Sequence, residues 1–326
     1  MPGANKNAIP RMLTFYFLLI TLVLSQPGPV ATFSIVAADT AAGELGIAVA
    51  SRFFTVGNVV PWAKAGVGAV ATQSFANTSF GWRGLDLLEQ GTAPDEVVAI
   101  LIRNDDNPTR RQFGVVAADG RSATYTGENC LDWAGGRSGS CYAVQGNILA
   151  GEAVVAALEK TFLSTTGTLA ERLYAALIAG EAAGGDSRGK QSAALLVVKA
   201  GAGYGGYTDR AIDVRVDDHA EPFVELGRIL AIARMNYAWN EAWTLFMQKR
   251  PQEALPHIER AVGLDPDYPE LLYDQAVIRL AAGQPKAALE ALEQCLKLNP
   301  KLKTQAAVDN DLEQLRADSA FRKLIK

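Results

Sequence analysis

Residues 32–51, TFSIVAADTAAGELGIAVAS, read as a strand, the turn DTAAG and a second strand. Two apolar strands joined so tightly pair side by side, and the rest of the chain has to cover the sheet they begin. GVGAVATQS, 66–74, reads as a third strand whose small residues suit close packing or close approach of a ligand. WRGLDLLEQG and APDEVVAILIRN read as helices, with Thr92 as cap of the second and Pro94 in its first turn. QFGVVAADGRSATYTG is a hairpin about Asp119-Gly120. CYAVQGNIL is a further strand leading into the helix EAVVAALEKTFL. TLAERLYAALIAGEAAG follows as a helix with Thr168 and Glu171 placed for a capping box. SAALLVVKAGAGYGGYTDRAIDVRVDD is a strand, a glycine-rich turn and a strand. Strands, paired helices, strands, paired helices, strands is the order of an α+β fold with packed sheets under helices, not of a doubly wound parallel sheet.

From residue 226 the pattern turns helical. Ala242, Ala254, Ala261 and Pro266 recur as Ala276, Ala288, Cys295 and Pro300, the period of about 34 residues of tetratricopeptide repeats. Small residues let paired helices approach, and each proline stops a helix from running on. NDLEQLRADSAFRKLI reads as a final capping helix, and FVELGRILAIAR as a linking helix on which the repeats lean.

Residues 1–31 have the form of a secretion signal. Lys6 and Arg11 precede the apolar run MLTFYFLLITLVL, and SQPGPVA ends on a small residue. The run is short for a membrane span, so no stable span is expected once it is removed. The implied location is periplasmic or extracellular. A cut after Ala31 would make Thr32 the first residue; Pro29 stands awkwardly upstream of it. The expected domains are therefore 1–31, 32–225 and 226–326.

Charge and composition exclude several functions. A net charge of −4 with no long basic run argues against nucleic acid. The two histidines, His219 and His257, have no ligand-spaced neighbours, so no metal is expected. The same scarcity argues against a Ser-His-Asp triad. Gly185-Asp186-Ser187-Arg188-Gly189 matches an esterase elbow, but a helix precedes it and a strand follows, the reverse of what an elbow needs. The glycine runs WAGGRSGS and GAGYGGY lack the lysine of a phosphate loop. In an oxidising compartment Cys130 and Cys141 can close a disulfide loop, or be two separate buried residues; Cys295 fits helix packing.

Several long motifs carry a resemblance. TFSIVAADTAAGELGIAVASRFFTVG, VVPWAKAGVGAVATQS, YAVQGNILAG, GGDSRGKQSAALLVV and YGGYTDRAIDVRVDDH are similar to a bacterial and archaeal family, domain of unknown function 1028, grouped with the N-terminal nucleophile (Ntn) hydrolases. The resemblance covers residues 32–225 and implies a four-layer αββα sandwich. It implies an amide or peptide-bond hydrolase that needs no cofactor, with Thr32 as nucleophile and its own α-amine as base. In proteasome-type relatives an acidic residue on the second strand orients the nucleophile; Ala50 stands in that place here.

Other candidate residues are polar groups near strand ends. Lys64 either lowers the amine's pKa or is a solvated lysine. Asn147, inside an apolar strand beside Gln145, either holds the backbone or binds an oxyanion. Ser51, Arg52, Gln73, Asn77, Asp186 and Gln191 are candidates for substrate contact or for a structural polar network. The rival to hydrolysis is a binding protein that keeps the fold without the chemistry and docks a protein partner on its repeats.

Overall fold

The computed structural model describes residues 32–326. The leader expected over 1–31 lies outside the described residues. Two antiparallel sheets make up the first part. One has six strands in the order β10-β9-β2-β1-β8-β7 and the other four, β3-β4-β5-β6. β1 is Thr32–Asp39, β2 Glu44–Ser51, β3 Pro61–Lys64, β4 Gly68–Ser74 and β5 Arg111–Ala117. β6 is Ser122–Thr126, β7 Gly135–Gly139, β8 Tyr142–Asn147, β9 Ser192–Val198 and β10 Arg210–Val216.

The alternation along β1 decides how the sheets stack. Val36 and Ala38 face the other sheet and join Leu45, Ile47, Val49, Ala69, Ala71 and Val116 in one buried cluster between the sheets. Phe33, Ile35 and Ala37 point the opposite way, into a cluster with α3 (Glu152–Ser164), α4 (Leu169–Ala182) and the start of α5 (Pro222–Met247). Both faces of the strand are buried, which is why its sequence is apolar nearly throughout. On the far side of the small sheet, α1 (Ser79–Glu89) and α2 (Pro94–Arg103) bring Phe80, Leu85, Val97 and Leu101 against Val70, Phe113 and Val115.

Local signals explain most element ends. Thr168 and Glu171 form the expected capping box at α4. Gly120 takes the left-handed conformation, φ 88°, that the β5–β6 turn requires. At α2 the expectation fails: Ala93 is the N-cap and no side chain caps it, because Pro94 already fills the first helical position with no N–H to satisfy.

α5 runs unbroken through residue 226, so the expected linking helix and the first helix of the repeats are one element. α6 (Pro251–Leu264), α7 (Pro269–Ala281) and α8 (Pro285–Leu298) follow, each opened by a proline. Ala238, Ala242, Ala254, Ala261 and Ile278 pack together where these helices cross. The expected capping helix is divided into a 3-10 turn at Asn310–Leu315 and the short helix Ser319–Leu324, after α9 (Lys303–Val308). Asp318 causes the break by accepting from Ala320 N at 2.6 Å and starting a new helix. Among the described residues no helix is long and apolar enough to cross a membrane.

Candidate functional site

The layer between the sheets changes character along its length. At one end it is apolar; at the Thr32 end it is lined with hydroxyls and amides. The cause is a shared phase: Thr32 and Ser34 on β1, Ser51 on β2, Gln73 on β4, Gln112 on β5, and Gln145 and Asn147 on β8 lie on inward-facing positions of their strands. All are buried. Thr32 stands opposite Ser51 on one side and Asn147 on the other.

The groups form one network. Thr32 Oγ1 donates to Ser51 Oγ at 3.2 Å. Gln73 Nε2 donates to Thr32 O at 3.1 Å and to Gln112 Oε1 at 2.8 Å. Ser34 Oγ donates to Gln73 Oε1 at 2.6 Å and accepts from Gln145 Nε2 at 2.7 Å. Gln112 Nε2 donates to Gly146 O at 2.7 Å and to Thr126 Oγ1 at 3.0 Å. Asn147 Nδ2 donates to Gln112 Oε1 at 2.9 Å. Gln112 thus joins the two sheets through a single amide. Gly114 makes room for this: a Cβ there would lie 2.2 Å from Gln145 Oε1.

One acceptor stands out. Asn147 Oδ1 is buried and has no hydrogen-bond partner among the described residues. Leaving such an oxygen unpaired costs about 1–3 kcal/mol, so its retention calls for a reason. Backbone strain marks the same end. Ser74, which closes β4, has φ 66°, and Ile148, which follows Asn147, has φ 53°. A β-branched residue in this region is an outlier, and such outliers concentrate at functional sites. Ile148 is held there by its N–H to Leu131 O at 3.0 Å and by Ser187 N–H donating to its carbonyl at 2.9 Å.

The structure brings Thr32, Ser51, Gln73 and Asn147 together, and adds Ser34 and Gln112, which the sequence reading missed. The signal for Gln112 was available: Gln112, Gly114 and Val116 alternate with the apolar face of β5. Lys64 does not belong to the site. It forms an ion pair with Glu89 at 2.6 Å, half-exposed at the edge of the small sheet. It pairs with Gly68, and Gln73 lies five residues further along β4 (73 − 68), roughly 17 Å at ~3.3 Å per residue. Ala50 pairs with Phe33 and faces the helices rather than Thr32.

The remaining candidates have structural partners. Asn77 accepts from Ser79 N at 3.1 Å and donates to Asp105 at 2.7 Å, starting α1. Burial opposes ionisation of Asp105, but bonds from Arg111 and Asn77 prevail and hold its carboxyl below the usual range. Asp186 accepts from Arg52 N at 2.9 Å and is bridged by Arg188, tying the loop after β2 to the loop before β9. Gln191 N–H donates to Ser51 O at 3.1 Å, while its side chain reaches Asp218 at 3.1 Å.

Of the two alternatives for Cys130 and Cys141, a disulfide loop or two separate residues, the structure shows the second: both are free thiols. Cys130 Sγ sits 3.4 Å from Arg111 O, at the start of β5. Cys141 packs on Gly120 beyond the other end of that strand. A strand's length of roughly 20 Å separates them, where a disulfide needs Cα atoms within about 7 Å. Burial pushes the Cys130 thiol up, with the nearby Ser74 hydroxyl and the Gly127 N–H acting against it.

Comparison with known proteins places the chain. The crystal structure of protein SPO2555 from Silicibacter pomeroyi is similar, with a TM-score of 0.58 and 29% identity over 64% of this chain and 90% of that chain. That structure carries the same family assignment, DUF1028. No curated protein matches. A tetratricopeptide repeat matches residues 245–309, and repeats of this kind point to protein–protein interaction. The Family of unknown function (DUF1028) matches residues 32–226, well over half of the sequence, and the chain belongs to that family.

Proposed function

We propose that the protein is an exported N-terminal nucleophile hydrolase of amide or peptide bonds, made active when removal of residues 1–31 leaves Thr32 at the N-terminus. The observation that carries this reading is the position of Thr32. It opens β1 with its hydroxyl on the inter-sheet face, in a site of neutral donors and acceptors, opposite a strand that holds Asn147 Oδ1, which has no partner among the described residues. Two antiparallel sheets with helices on both outer faces support the αββα sandwich that Ntn chemistry uses.

The chemistry follows from the groups present. A free α-amine, with pKa near ~7.7–8.0, takes the proton of Thr32 Oγ1 as that oxygen attacks the carbonyl carbon. Asn147 Oδ1 accepts a hydrogen from the amine and orients it. Buried amide N–H groups steady the oxyanion of the tetrahedral intermediate. The proton passes to the leaving amine as the C–N bond breaks, and water then hydrolyses the Thr32 ester.

A second reading is a binding protein on the same fold, working through its repeats. The neutrality of Ser34, Gln73, Gln112, Gln145 and Asn147, with Ala50 turned away, favours it. A β-lactone electrophile separates the two. Under the hydrolase reading, protein that begins at Thr32 gains one acyl group, mapped to its N-terminal peptide, and Thr32→Ala gains none. Absence of label on protein beginning at Thr32, or equal labelling of Thr32→Ala, favours the binding protein.

A further inference from the structure

A cavity of about 500 Å³ lies where the turn between β9 and β10 meets α5 and α7. It is at the opposite end of the six-stranded sheet from Thr32, because Ser192 pairs with Ser51 while Val198 pairs with Leu45 and Arg210. Its walls include Tyr204, Trp239 and Trp243, with Asp274 of α7 exposed to the interior. Tyr204 stands at the rim and is 88% exposed. A volume of this size suits a small ligand.

The charges in the cavity do not cancel. Arg210 is paired with Asp213, which also accepts from Arg215 Nε at 3.1 Å. Asp274 has no ion-pair partner among the described residues. Its one hydrogen bond there is from Trp239 Nε1 to Oδ2 at 2.7 Å. The charges that act on it most strongly are those of Asp309, Asp311 and Glu270, all of its own sign. A largely buried carboxylate with no cation is costly, and protein interiors pair such groups. Indole and phenol rings around a carboxylate are the surroundings that bind organic cations, the rings through their electron-rich faces and the carboxylate through its charge.

We propose that this cavity binds a small alkylammonium cation, its charge against Asp274 Oδ1 and its alkyl groups against Trp239, Trp243 and Tyr204. An anion is disfavoured because the one guanidinium in the wall is already paired. The proposal goes beyond the hydrolase reading and needs no chemistry at Thr32.

The test is a titration of the full chain with choline and n-butylammonium, read by tryptophan fluorescence and calorimetry. The neutral isostere of choline, 3,3-dimethyl-1-butanol, is titrated alongside. Saturable binding of either cation is expected, with the neutral isostere weaker by about tenfold or more. Asp274→Asn keeps an acceptor for Trp239 Nε1 and removes the charge; it is expected to weaken cation binding by about tenfold or more while remaining folded by circular dichroism. Trp243→Leu is expected to weaken the cations as well, and serves if Asp274→Asn does not fold. Equal binding of choline and its isostere, no saturation by either cation below about 20 mM, or unchanged cation binding in the folded variant would overturn the proposal.

Discussion

Thr32 Oγ1 and Ser51 Oγ lie 3.2 Å apart across the first strand pair, both fully inside the protein. The two hydroxyls sit where the inter-sheet layer turns from apolar to polar. The residues that create the change come from both sheets, so the site depends on the stacking of the sheets as much as on any one loop.

Gln112 is the group on which that stacking most depends at this end. Gln112→Leu removes its bonds to Gly146 O, Gln73 and Asn147; Asn147 Nδ2 loses its bond to the Gln112 amide, and Gln73 Nε2 keeps only Thr32 O. Unfolding by urea is expected to show a loss of about 2–4 kcal/mol. An unchanged midpoint would mean that the amide network carries no stability.

Gly114→Ala tests the same network sterically. The added carbon meets Gln145 Oε1 at 2.2 Å, and that amide is held by Ser34 and Thr124. Overpacking of this kind costs about 1–3 kcal/mol, read as a lower Tm.

Lys64→Ala is the control. Its ion pair with Glu89 is half-exposed, so stability is expected to change by about 1 kcal/mol or less. Labelling at Thr32 is expected to be unchanged. Loss of labelling in a folded Lys64→Ala protein would return Lys64 to the chemistry.

Asp274 gives a pH prediction. Burial pushes its carboxyl from 3.8 up to about 6, with the Trp239 N–H opposing and Asp309, Asp311 and Glu270 adding to the rise; Arg210 and Asp213 line the same cavity. A raised acid favours the folded state at low pH, and that contribution is lost as pH rises from about 4 through about 6. Asp274→Asn is therefore expected to exceed the parent in stability by on the order of 2–3 kcal/mol at pH 8, and to converge with it near pH 4. Chemical unfolding at the two pH values measures the difference.

Much of the fold was legible because its apolar periods are unambiguous. The paired helices, the β5–β6 hairpin, the Thr168 capping box and the repeat prolines all follow from local chemistry. The strands that escaped, β3 and β7, are both edge strands, of 4 and 5 residues. GGRSG in β7 has no apolar alternation to reveal it. The site was legible in part: the expected cut after Ala31 and the family resemblance mark Thr32, polar ends of apolar strands mark Ser51 and Gln73, and an amide inside an apolar run marks Asn147. Strand order in space is not written in such patterns. By sequence alone Lys64 and Asn77 are therefore as eligible as Gln73, and Gln112 gains its place only from the stacking of the two sheets.

The N-terminal sequence of the mature protein, recovered after export, tests the central claim most directly. Thr-Phe-Ser-Ile-Val, the start of β1 from Thr32, is the predicted result. A mature chain that begins at Phe33 or later, or that retains Val30-Ala31, contradicts it.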